Sequence, residues 1–260
     1  MNKNAILVMM FGSALTLGMA AQASAAVGAA ASQGFNPSAP SVRVGPTAGG
    51  PHGGVAGEPG IGVSTVGRGA IVSFDGLTKL APSNPDGVTP ISMAITPADP
   101  NTPIPASHSQ MGVFSFAQVA SEPVYFGEWS ATGSETDATH TAYYAGKDVT
   151  AVMPVAGQAT YAVKGINQYS TNGLMEGSLT ADFGQSVLVG TMANSKSTLG
   201  IEADIKGSAF DGRAYMIKAN EADFGSSQGH FFGNNASALA GIATFDDHTK
   251  DTAFGGSRQN

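Results

Sequence analysis

From about residue 111 onward the chain alternates short apolar, β-branched runs with small turn clusters. Residues 113–120 and 124–130 are rich in aromatic and β-branched side chains and part at Glu122-Pro123; residues 140–145 follow. Further runs come at 159–163, 174–183, 187–192, 199–205, 213–218, 230–232, 239–245 and 252–254. Ile201, Ala203 and Ile205 alternate cleanly with Glu202, Asp204 and Lys206, the period of a strand with one face buried. In residues 174–181 the alternation is imperfect. Thr171-Asn172-Gly173, Asn194-Ser195-Lys196, Asp211-Gly212 and Gly225-Ser226-Ser227 read as the turns between runs. The pattern predicts eight short strands from about Gln158 to the end, closed as an antiparallel barrel that leaves no open edge. Helical periodicity is nearly absent, and residues 235–239 allow one short turn.

The first half has a different texture. Residues 26–69 are Gly-, Ala-, Pro- and Ser-rich with few large apolar side chains, which predicts mostly loop or extended chain. Residues 69–74 form a short strand candidate. Residues 81–105 carry seven prolines, which exclude helix and central strands and predict a long loop. At the start, Lys3, an apolar stretch over 5–17 and Ala23-Ser24-Ala25 read as a secretory signal peptide; the stretch is too short to span a bilayer. The expected organisation is a signal peptide at 1–25, an N-terminal ligand-binding β domain at 26–155 and the barrel at 156–260.

Composition narrows the function. The chain has 260 residues, a formal net charge of −7, 35 glycines, 14 prolines and no cysteine. An acidic balance argues against nucleic-acid binding, which needs clustered cations. The lack of cysteine excludes disulfides, thiolate metal sites, thiol catalysis and a lipidated N-terminal cysteine. The expected product is therefore periplasmic or released, not lipid-anchored or inserted in a membrane, and a barrel that closes its own edges suits a secreted monomer.

Candidate chemistry is sparse. Gly225-Ser226-Ser227-Gln228-Gly229 matches G-x-S-x-G, but a nucleophile elbow needs a strand before it and a helix after it in a parallel sheet. A hairpin turn is the expectation here, and no acid/base or nucleophile constellation points to an enzyme. Five histidines are the good neutral ligands for a metal or haem iron: His52, His108, His140, His230 and His248. None forms an i, i+4 or H-x-H pair. His52 lies among glycines, which let a backbone approach a flat ligand. His108 ends the Pro-rich loop in Pro105-Ala106-Ser107-His108. His140 and His230 sit at strand starts, where a structural role is expected. His248 beside Asp246 and Asp247 reads as a solvated turn. The methionines, Met93, Met111, Met153 and Met175 among them, read as core filler or as soft contacts on an apolar ligand, with core filler the expectation.

Six segments carry a resemblance. Val124-Tyr125-Phe126-Gly127-Glu128-Trp129, Thr139-His140-Thr141-Ala142-Tyr143-Tyr144-Ala145-Gly146 and residues 157–167 resemble the soluble haem-binding hemophilins. They are also similar to the surface lipoproteins exported by an outer-membrane modulator of the Slam type. Gly229-His230-Phe231-Phe232-Gly233-Asn234-Asn235-Ala236, Leu239-Ala240-Gly241 and residues 254–258 resemble the barrel of transferrin-binding protein B. The likeness spans about residues 111–260. It implies an all-β chain: a loop-rich clamp or handle domain that handles the ligand, then an eight-stranded antiparallel barrel. It also implies export by the modulator and delivery to a TonB-dependent outer-membrane receptor.

The leading expectation is a secreted hemophore that binds haem (haem b) outside the cell. His108 and then His52 are the expected axial ligands, because both lie in loops and no barrel strand need deform; His140 is held in reserve. The alternatives are a host-protein-binding or colonisation factor using Ile91, Met93, Ile95 and Ile104 as a contact surface, and a carrier of another metal or metallocofactor such as cobalt.

Overall fold

A computed structural model of the chain describes residues 26–50, 52, 54–92, 105–219 and 221–259. The expected signal peptide, and Met93, Ile95 and Ile104, lie outside the described residues. The first half forms β1 (Gly28–Ala31), β2 (Val42–Pro46), β3 (Pro59–Val63), β4 (Val72–Ser73), α1 (Phe74–Thr78), β5 (Val88–Ile91), β6 (Val113–Gln118), β7 (Val124–Ser130) and β8 (Thr141–Gly146). The second half forms β9 (Gln158–Ile166), α2 (Tyr169–Asn172), β10 (Met175–Asp182), β11 (Val187–Ala193) and β12 (Ser197–Lys206). It ends with β13 (Ala209–Lys218), β14 (Glu221–Phe232), β15 (Ala238–Thr244) and β16 (Thr252–Arg258).

β9 to β16 close into an eight-stranded antiparallel barrel, as expected. Its interior is filled by side chains: Phe231 lies 5.6 Å from Phe210, 5.8 Å from Tyr161 and 6.0 Å from Phe183 between ring centroids. A filled barrel is a scaffold, and a ligand site must be sought elsewhere. The other elements form a five-stranded antiparallel sheet in the order β1-β8-β7-β6-β5 and a small cap sheet, β2-β3-β4, that continues into α1.

The five-stranded sheet is covered on both faces. β7 and β8 are buried at every position, the reading of strands with no solvent side. Alternation then assigns each residue to a layer. Phe114, Phe116, Tyr125, Trp129 and Tyr143 pack against the cap with Ile61, Val63 and Phe74. Ala117, Val124, Phe126, Ala142 and Tyr144 pack against Phe232, Ala238, Ala240 and Ile242 on the barrel wall.

Several expectations are corrected. Residues 26–69 hold three strands, because the large side chains that cover them come from the neighbouring sheet: β1 pairs with β8 along its whole length. The Pro-rich stretch contains β5, and Pro90 is tolerated because β5 is an edge strand. Asp211-Gly212 lies inside β13, and Gly225-Ser226-Ser227 lies inside β14. The G-x-S-x-G match is therefore neither elbow nor turn. Ser227 is buried and donates to the Arg213 carbonyl at 3.1 Å. A Cβ at Gly225 would lie 2.1 Å from the Thr244 carbonyl oxygen, so glycine is there for close strand packing.

Candidate functional site

The cap carries His52 between β2 and β3. Thr47 closes the base of that connection: its backbone bonds Glu58 and Gly57 at 2.8 Å each, and its hydroxyl donates to Ile71 O at 3.0 Å. Gly50 and Gly54 bridge across the tip. His52 itself holds φ +65, a left-handed backbone uncommon outside glycine and worth attention near a site. Its carbonyl rests on α1: a Cβ at Gly76 would lie 2.4 Å from His52 O. α1 is short and is started by Ser73, whose hydroxyl accepts from Gly76 N at 3.1 Å.

His108 closes a 3₁₀ turn, Ala106–His108, and its carbonyl accepts from Met111 N at 3.0 Å. Its Nδ1 pairs with Ser107 Oγ at 3.2 Å. The two histidines, distant in sequence, meet: their ring centroids are 6.3 Å apart with planes at 81°. Between them and the sheet lies a largely apolar cavity of about 70 Å³. Ile61 (β3), Val66, Leu77 (α1), Ile91 (β5), Met111 and Phe114 (β6) line it. Burial lowers the pKa of His52, and His108 beside it lowers it further. Both effects favour the neutral imidazole, the form that ligates a metal.

The remaining histidines are elsewhere. His140 is on the barrel side of the five-stranded sheet, 4% exposed, and both ring nitrogens are engaged. Nδ1 donates to the His248 carbonyl at 2.7 Å and Nε2 meets Glu128 Oε2 at 2.9 Å. The Glu128 carboxylate also accepts from the Gln168 and Tyr169 backbone N–H groups. Burial alone would lower the pKa of His140; the hydrogen bond and charge of Glu128, the His248 carbonyl and the Asp251 charge outweigh it and raise it. Both ring nitrogens of His140 are thus committed to this joint. His230 bonds the Tyr144 hydroxyl through Nδ1 at 2.7 Å, and His248 pairs with Asp251 at 2.9 Å. Among the described residues no group of three or more His, Asp or Glu could hold a metal ion.

Sequence reasoning missed most of the cavity wall. Met111, expected as core filler with a soft contact on an apolar ligand as the alternative, is 6% exposed and lines the site. Ile91, expected on an exposed contact surface in the host-protein alternative, is buried in the same wall. The Glu128 joint was also missed, since it pairs residues from three separate segments.

The family model described as the HphA N-terminal heme-binding domain matches residues 20–141, and that described as the HphA C-terminal domain matches residues 150–258. Among solved structures, the apo haemoglobin receptor HpuA from Kingella denitrificans is similar with a TM-score of 0.56 at 16% identity, over 92% of this chain and 89% of that one. Isotype 1 transferrin-binding protein B from serogroup B Neisseria meningitidis gives 0.49 at 16% identity, over 75% of this chain and 38% of that one. At such identity the HpuA likeness is one of fold.

Proposed function

Because this chain belongs to the HphA family, matched along both of its halves, we propose that it is a secreted hemophore that holds haem between His52 and His108. Haem is the ligand of the family's N-terminal domain, and the cavity lies in the corresponding part of this chain. The observation that carries the reading is the meeting of two histidines over an apolar wall.

The donor set fits the ligand. Two imidazoles on opposite sides of one metal ion, each nitrogen about 2 Å from it, place their centroids roughly 6 Å apart. The separation of His52 and His108 is 6.3 Å. Haem supplies an iron that accepts an imidazole nitrogen on each face and an apolar plate to bury. His52 and His108 would hold the iron between them, an arrangement that suits carriage over catalysis. Met111, Phe114 and Leu77 offer soft and aromatic contacts to the plate and exclude water. Sites for molecules of this class enclose roughly 300–1,000 Å³. The present cavity is far smaller, so the cap must part from the sheet to admit the ligand.

Export by a Slam-type modulator that reads the barrel, and delivery to a TonB-dependent receptor, complete the proposal. The test is a haem titration of the purified chain. A Soret band that shifts in both His52→Ala and His108→Ala is the expected result. A wild-type chain that develops no haem spectrum overturns the reading.

A further inference from the structure

Haem carries two carboxylates, and this chain is acidic, with a formal net charge of −7. A dianion approaching an acidic protein needs a local cation to orient it. Resting on the reading that haem occupies the His52–His108 cleft, we propose that Arg68 is the carboxylate anchor of that cleft.

Arg68 is at the centre of a 3₁₀ turn, Gly67–Gly69, that follows β3. Val66 and Ala70, on either side of this turn, both line the cleft. The turn is an unusual one. Gly67, Arg68 and Gly69 have φ of +56, +56 and +75, three successive residues in the left-handed region. Glycine accepts this region readily and arginine does not.

The surroundings hold the turn in place. Arg43 Nε donates to Gly69 O at 2.6 Å, and its guanidinium carbon stands 5.0 Å from the centroid of the Phe35 ring. That ring closes over Gly69, where a Cβ would lie 2.6 Å from Phe35 Cζ. Gly69 N bonds Val66 O at 3.0 Å and Ala70 N bonds Gly67 O at 3.2 Å. One arginine is thus spent bracing the turn that displays another.

Arg68 is exposed and makes no ion pair or hydrogen bond among the described residues. The other cations of this domain are engaged. Lys79 pairs with Asp75 at 2.7 Å, Lys147 pairs with Glu58 at 2.8 Å, and Arg43 is committed to the turn. A planar guanidinium matches a carboxylate through two parallel N–H bonds, and an unpaired one on a turn flanked by two residues of the cleft wall suits a ligand whose edge bears carboxylates.

The test compares haem with its dimethyl ester, which keeps the plate and the iron but lacks the carboxylates. The full chain is titrated with each, as wild type, Arg68→Gly and Arg68→Lys. Glycine is at home at φ +56, so Arg68→Gly is expected to fold, with an apo melting temperature no lower than that of wild type. Arg68→Gly is expected to bind haem about tenfold more weakly than wild type and the ester equally well. Arg68→Lys recovers part of the loss, and added salt narrows the wild-type advantage. If Arg68→Gly binds haem like wild type, or loses haem and ester alike, Arg68 is no anchor. If wild type shows no haem spectrum at all, the haem reading fails first. If wild type binds haem through His52 and His108 while Arg68→Gly is indistinguishable from it, only the anchor falls.

Discussion

His52 and His108 face each other with ring centroids 6.3 Å apart and planes at 81°, one on the cap and the other on the turn that leads into β6. Each arrives on a separate loop, so neither position depends on the other's local fold. Removal of His108 removes the second of the two causes that lower the His52 pKa. In His108→Ala the His52 imidazole is expected to titrate closer to 6.5 than in wild type, followed by histidine NMR in the apo chain. The wild-type chain should hold haem at and above neutral pH and lose it on acidification, as protons compete with the metal for imidazole nitrogen. A Soret amplitude followed downward from pH 7 checks this.

Trp129 is the single tryptophan of the chain. It is fully buried, and its Nε1 donates to Met111 O at 2.8 Å. Met111 lines the cleft, so Trp129 reports on it directly. Its emission should be quenched in step with the Soret change, with one midpoint for both signals. Two separated midpoints would mean that the spectral change arises away from this cleft.

The Glu128–His140 pair joins the five-stranded sheet to the barrel loops at Gln168, Tyr169 and His248. His140 has its pKa raised above the free value of 6.5. The contribution of its charged form to stability is complete below about pH 6.5 and is lost as pH rises through the folded value. His140→Ala leaves the buried Glu128 carboxylate short of a partner and should cost about 3 kcal/mol at pH 6, and less at pH 9. Denaturant unfolding of both chains at the two pH values is the measurement. An equal cost at both would mean that only packing is lost.

The Tyr143 hydroxyl is buried without a hydrogen-bond partner among the described residues. Its ring stacks on Phe74 at 5.8 Å. Tyr143→Phe removes an unmet polar atom and keeps the ring, so stability should stay level or rise by about 1 kcal/mol. A loss of more than that in chemical denaturation would reveal a partner for the hydroxyl.

The barrel is legible because its runs are short, regularly spaced and parted by turn residues, and because strands such as β9 and β12 alternate and so announce their own inner face. The barrel strands were placed even where their ends were not. β14 was shortened to its last residues because Gly225 and Gly229 mimic turn residues while serving strand packing. The cap was hidden for the opposite reason. Gly60 and Gly62 of β3, like Ala29 and Ala31 of the adjoining β1, carry little signal of their own; the glycines lie against residues 69–72, and the alanines pack among large side chains of β6, β7 and β8. His52 and His108 were singled out as loop histidines in flexible-looking sequence. Their meeting, and the separate placing of His140, follow from which face of a sheet each segment reaches, a fact held by pairing between distant strands.

That doubly covered sheet has a consequence for how the chain tolerates change. In β7 the odd positions Tyr125 and Trp129 serve the cap, and the even positions Val124, Phe126 and Glu128 serve the barrel side. Inserting one residue in β7 would exchange the two sets at a stroke, pushing the Glu128 carboxylate toward the ligand chamber and the Trp129 indole into the seam. Both halves of the molecule are thus spelled by one short word, each reading every second letter, and neither half can shift its reading frame without garbling the other.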